Sequence, residues 1–154
     1  MRYFVLILFS LFGFWGCQPD EACFSSATNR LVLGFYQQSV NGPITDTVVV
    51  GQVKSTASDS LFWNNTIDST RAIFLYLNPL SDTTTILFKR TSAPARDDTL
   101  VLAYQRRYRL IAPDCPLEVS FEELSVVRST FATTRVLNTE LREPSNEADV
   151  QVFY

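Results

Sequence analysis

The chain holds three thiols, Cys17, Cys23 and Cys115, and no imidazole at all. Without histidine, the usual serine and cysteine hydrolase arrangements lack their general base. The thiols therefore read as sites of attachment or cross-linking rather than as catalytic nucleophiles. The tightest carboxylate pair is Glu122-Glu123. Neighbours on a strand face opposite ways, so these two do not readily share one substrate. A glycosidase needs its two carboxylates across a cleft, and sequence spacing does not place a distant partner such as Asp149 there. Asp97-Asp98 alone makes no calcium loop, and no cluster has zinc-ligand spacing. Five glycines form no phosphate-cradling loop. Neither an enzyme nor a cofactor nor a metal is expected.

Binding chemistry is better represented. Tyr104, Arg106, Arg107, Tyr108 and Arg109 crowd one short stretch. Guanidiniums beside aromatic rings suit a sugar, a phosphate or an acidic partner. The same residues also fit a solvated turn whose tyrosines pack inward. Trp63 is a further aromatic candidate for ligand or partner contact. Asp followed by Ser or Thr recurs five times, placing hydroxyls at Thr47, Ser60, Ser69, Thr83 and Thr99. The pattern is similar to the O-glycosylation sequon of Bacteroidota envelope proteins, which implies bulky surface sugars. Asp turning the backbone and Thr opening a strand produce the same pattern, and both readings put these residues at loop–strand edges. Asn64-Asn65-Thr66 fits the N-linked acceptor pattern and reads as a turn.

The first cysteine ends an unusual segment. Arg2 precedes an uncharged run from Tyr3 to Gly16. As a helix that run would rise roughly 21 Å, short of a hydrocarbon core of about 30 Å. A positive end, a greasy middle and a small residue before Cys17 are the marks of a secretory leader. They resemble a bacterial lipoprotein signal, in which the cysteine thiol receives diacylglycerol and the freed amine a fatty acid such as palmitate. Phe14 and Trp15 depart from that family's usual residues, and only Gly16 fits closely. The other reading is an ordinary leader cut elsewhere. Gln18-Pro19-Asp20-Glu21 resembles the acidic signal that sends Bacteroidota lipoproteins to the outer membrane, on its surface or its periplasmic face; it also reads as a solvated linker.

With Cys17 acylated, Cys23 and Cys115 remain. An exported chain meets an oxidising compartment, which favours a disulfide over two buried thiols. Closing a loop of about 90 residues stabilises by roughly 4–5 kcal/mol in the chain-entropy account.

The elements that must position these groups are strands. The chain has 154 residues, 46% of them hydrophobic and 13% aromatic, which is enough for one packed core and too much for disorder. Removing residues 1–16 takes Arg2 and moves the formal charge from −3 to −4. That balance argues against nucleic-acid binding. Strands are predicted at 31–36, 47–53, 60–63, 72–77, 84–89, 117–121, 131–137 and 148–154. Residues 99–104 and 108–111 read as arms of a hairpin around Gln105-Arg106-Arg107. The run 72–77 is apolar on both faces and reads as a central strand, stopped by Asn78-Pro79. Residues 122–128 include a possible single helical turn at Glu-Glu-Leu. The spacing predicts an all-β, antiparallel sandwich, immunoglobulin-like or related, of about eight or nine short strands.

The N-terminal cysteines, Leu31-Val-Leu-Gly-Phe-Tyr36, Ala72 to Pro79, the stretch from Leu102 to Pro116 and a late segment ending Val150-Gln-Val-Phe-Tyr154 resemble a group of small Bacteroidota lipoproteins of unknown function. The resemblance covers nearly all of the mature chain. It implies an anchored, β-rich envelope domain and carries no catalytic residues. The expected organisation is a leader at 1–16, a lipidated tether at 17–29 and a single domain at 30–154. The expected role is a structural or interaction module of the envelope, its partners the membrane through the lipid anchor and an envelope protein or a glycan. A carbohydrate-binding accessory with exposed aromatics and a carboxylate-dependent hydrolase are the alternatives.

Overall fold

The computed structural model describes residues 30–55, 61–63, 67–90, 97–110, 117–142 and 145–154, with backbone alone for 61–63, 67, 68 and 90. Eleven strands and no helix occur among them. They are β1 (Arg30–Ser39), β2 (Gly42–Thr45), β3 (Val48–Ser55), β4 (Leu61–Trp63), β5 (Ile67–Thr70), β6 (Ala72–Tyr76), β7 (Thr83–Arg90), β8 (Asp97–Arg109), β9 (Glu118–Ser129), β10 (Thr133–Val136) and β11 (Val150–Phe153).

One sheet runs β10-β11-β1-β2, with β6 also on β1. The other runs β4-β3-β7-β8-β9, with β5 also on β3. β1 is long enough to serve two antiparallel partners in succession. Its first half pairs with β6, Arg30 opposite Tyr76, and its second half with β2, Tyr36 opposite Thr45. The chain changes sheets where those partners meet. Phe35 donates its N–H to the Arg71 carbonyl, and its own carbonyl accepts from Asp46, both at 2.9 Å. The other edge of β1 carries β11 in parallel, so the sandwich departs from the purely antiparallel expectation.

Alternation builds the core. Leu31, Leu33, Phe35, Ile73, Leu75, Val150 and Val152 face Val53, Ile86, Phe88, Leu100, Leu102 and Phe121 from the other sheet, all buried. Stacking every second residue of a strand on one face makes this possible. Ring edges lock it: Tyr104 meets Phe121 at 4.9 Å and Phe88 meets Phe131 at 5.4 Å between centroids. The outer face of β1 is covered too. Asp149 accepts the Val32 N–H on Oδ2 at 2.8 Å and the Asn138 amide on Oδ1 at 3.1 Å. Arg30 donates to the Ser145 carbonyl at 2.8 Å. This strap leaves no room above Gly34, where a Cβ would lie 2.9 Å from that of Ala148.

Three expectations are corrected. The hairpin around Gln105-Arg106-Arg107 is a single strand, because that triplet has none of the residues that turn a chain. The run 72–77 is not central: among the described strands β6 pairs with β1 alone, and Phe74 and Tyr76 are 41% and 51% exposed. The helical turn at 122–124 is part of β9, with Glu123 at φ 54° where the β8–β9 register slips.

Candidate functional site

β8 pairs with β7 as far as Ala103, opposite Thr83. From Gln105 onward its described neighbour is β9 alone, in the register Gln105–Glu122, Arg106–Phe121, Arg107–Ser120, Tyr108–Val119 and Arg109–Glu118. Past Ala103 the two strands continue as a two-stranded ribbon, whose Phe121 stays in the core and bridges to Leu141. Strand alternation divides the aromatic and basic residues between its faces.

Tyr104, Arg106 and Tyr108 share the face that begins as core. Tyr104 is 4% exposed, which removes it from the contact residues. Its phenol joins Thr84 Oγ1 at 2.6 Å and donates to the Asn78 carbonyl at 3.0 Å. The Asn78 N–H reaches both oxygens, Thr84 Oγ1 at 2.9 Å and Tyr104 Oη at 3.0 Å. Burial raises the Tyr104 pKa, against the opposing pull of these bonds. One turn further along, Arg106 donates to Asp82 Oδ1 at 2.6 Å, to the Tyr108 phenol at 2.9 Å and to the Pro79 carbonyl at 3.2 Å. Tyr108 donates to the same carbonyl at 3.2 Å. The turn at 77–82 is thus stapled down onto β8, and the Asp82 hydrogen bond holds the Arg106 pKa above its ordinary value.

The opposite face is a charge ladder. Arg107 donates to Glu122 Oε2 at 3.0 Å, Arg142 to Glu122 Oε1 at 2.8 Å, and Arg109 to Glu118 at 2.7 Å. Hydrogen bonds from Arg107 and then Arg142 lower the Glu122 pKa. Every guanidinium of the ribbon thus already holds a carboxylate of the same chain. Glu122 and Asp149 are both held by donors, the first by two guanidiniums and the second by the Val32 N–H and the Asn138 amide. Among the described residues, no group of three or more His, Cys, Asp or Glu could hold a metal ion.

Among the described residues of this region, several exposed side chains are apolar, next to the exposed Arg107 and Arg109. Leu80 is 85% exposed, Tyr108 53%, Leu110 56% and Leu117 61%. Sequence reasoning missed the leucines, because isolated surface leucines are ordinary and only the ribbon register collects them.

The Asp-Ser/Thr hydroxyls separate by place. Thr47 lies between β2 and β3, Ser69 on β5 at φ 69°, and Thr83 at the start of β7, all exposed. Thr99 is inside β8 rather than at a loop edge. Its neighbour Asp98 is fully buried and accepts from Thr130 Oγ1 at 3.0 Å, which in turn accepts the Thr99 N–H at 2.9 Å. Trp63 pairs through its backbone with Val53, and its side chain is outside the described set. Ser60, Cys17, Cys23 and Cys115 also lie outside the described residues.

Searches of curated proteins and of solved structures found no match to the chain. The 108 residues from 47 to 154, which include nine of the eleven strands and the whole ribbon, match a family of unknown function, DUF6452, and the chain belongs to that family.

Proposed function

We propose that this chain is a lipid-anchored outer-membrane protein of the cell envelope, a structural or interaction module that works by contact and not by catalysis. The supporting observation is the ribbon. Its guanidiniums are satisfied within the chain, and Tyr108, Leu110 and Leu117 stand exposed beside them. Such a surface suits a macromolecular contact better than an anionic ligand. The anchor rests on the leader grammar up to Cys17.

The glycan alternative is weakened by the burial of Tyr104, which leaves Tyr108 as the exposed aromatic of the ribbon. A hydrolase reading would need Glu122 or Asp149 released from the donors that hold them.

The Cys23–Cys115 bond fits the chain path. Arg30 pairs with Tyr76, and the turn that follows Tyr76 is fastened to Tyr104 and Arg106. The start of β1 and the ribbon therefore share one end of the sandwich. Cys23 precedes Arg30 by seven residues and Cys115 precedes Leu117 by two. A seven-residue stretch spans up to about 24 Å.

Mass spectrometry of the membrane fraction, with and without reduction, tests these assignments together. The expected result is acyl mass on Cys17 as the first residue and a Cys23–Cys115 cross-link. Any sugar should sit on Thr47, Ser69 or Thr83 before Thr99. A water-soluble product without acyl mass refutes the anchor.

A further inference from the structure

The apolar ribbon end and the start of β1 lie at the same end of the sandwich, and the tether leaves from there. We propose that Leu80, Tyr108, Leu110 and Leu117 form a surface that rests on the lipid bilayer, fixing the orientation of the domain on its membrane. The proposal rests on acylation of Cys17.

Thirteen residue steps separate Cys17 from Arg30. Six of these steps run from Cys17 to the proposed cross-link of Cys23 with Cys115, a span of at most about 22 Å. The anchor therefore holds this end of the sandwich near the lipid, while Val40, in the β1–β2 turn, lies at the other end of the ten-residue β1. Four apolar side chains are a weak membrane ligand by themselves. Tethered, they meet the surface at a high effective concentration, and weak contact becomes persistent. Their chemistry suits the interface: leucines enter the acyl boundary, and a tyrosine ring lies at headgroup depth with its hydroxyl satisfied. The Tyr108 hydroxyl is satisfied by Pro79 and Arg106. Arg106 is paired with Asp82, Arg107 with Glu122 and Arg109 with Glu118, so no guanidinium of the ribbon is without a carboxylate. Contact should therefore be apolar in origin and insensitive to the proportion of anionic lipid.

The test uses the lipidated, processed protein in phosphatidylethanolamine/phosphatidylglycerol vesicles with brominated acyl chains. Tyr108→Trp and Val40→Trp variants are compared, each with Trp63 as a common background. Both positions are exposed, and circular dichroism checks the fold of each. Quenching of the added indole should be at least about twofold greater at 108 than at 40, as expected for a side chain at the acyl boundary. Leu110→Glu with Leu117→Glu, added to Tyr108→Trp, should abolish that difference and leave vesicle flotation unchanged. A protein that floats but shows equal quenching at the two positions refutes the membrane contact and leaves the anchor intact. If that protein also sediments as a dimer, the surface belongs to a second copy. A protein that does not float overturns the anchor, and this proposal with it.

Discussion

Two tyrosines four residues apart end in opposite environments. Tyr104 and Tyr108 point to the same side of β8, and nothing in Tyr-Gln-Arg-Arg-Tyr ranks them. Their fates differ because the β7 neighbour ends at Thr83, opposite Ala103. Tyr104 lies under the stapled turn and Tyr108 beyond it. Tyr104→Phe leaves the Asn78 carbonyl without that donor and should cost about 1–2 kcal/mol in urea denaturation. An unchanged midpoint would show that the staple contributes nothing. Glu122 supplies a pH signature. Its folded pKa is depressed by Arg107 and Arg142. On acidification the unfolded chain takes up this proton first, near the ordinary Glu pKa of about 4.3. The stabilisation is thus present above that pH and fades as pH falls through the lower folded value. Glu122→Gln should be less stable than the parent at pH 7, with the gap closing toward pH 3; a gap that stays constant across a pH series of melts would refute this.

At the scale of elements, sequence patterns locate strands better than their neighbours. The run Ile73-Phe74-Leu75-Tyr76 is apolar on both faces, as a central strand would be. It sits at an edge because β1 divides one side between β6 and β2, and Arg30 stacks 4.5 Å above the Phe74 ring. β8 was legible as two strands and not as one, since arginine is uncommon in mid-strand unless the outer face is solvated and paired with acids. β9 supplies those acids only in the observed register. The strap over β1 makes its own demand. Gly34→Ala places a methyl against Ala148 and the Tyr36 ring, and should cost about 1–3 kcal/mol by calorimetry. A neutral result would mean that the 145–149 strap yields freely.

For the whole molecule, β11 is decisive. It lies between β10 and β1, in the middle of its sheet, although it comes last in the chain. Deleting residues 150–154 removes Val150, Val152 and their ladder to β1, so the remainder should show no cooperative thermal transition by circular dichroism. A sharp transition in the truncated chain would contradict that placement.

The sequence by itself determined the all-β class, most strand positions and the stop at Asn78-Pro79, because alternation and turn chemistry act between near neighbours. It also shows that these 154 residues hold no imidazole, which needs no structure to be noticed. Only the tertiary structure decided that β11 pairs in parallel with β1, that Tyr104 is core while Tyr108 is surface, and that three leucines gather beside Tyr108. Those outcomes depend on where one strand ends relative to another far away in sequence. Loop closure and sheet register set that relation, and no local pattern encodes it.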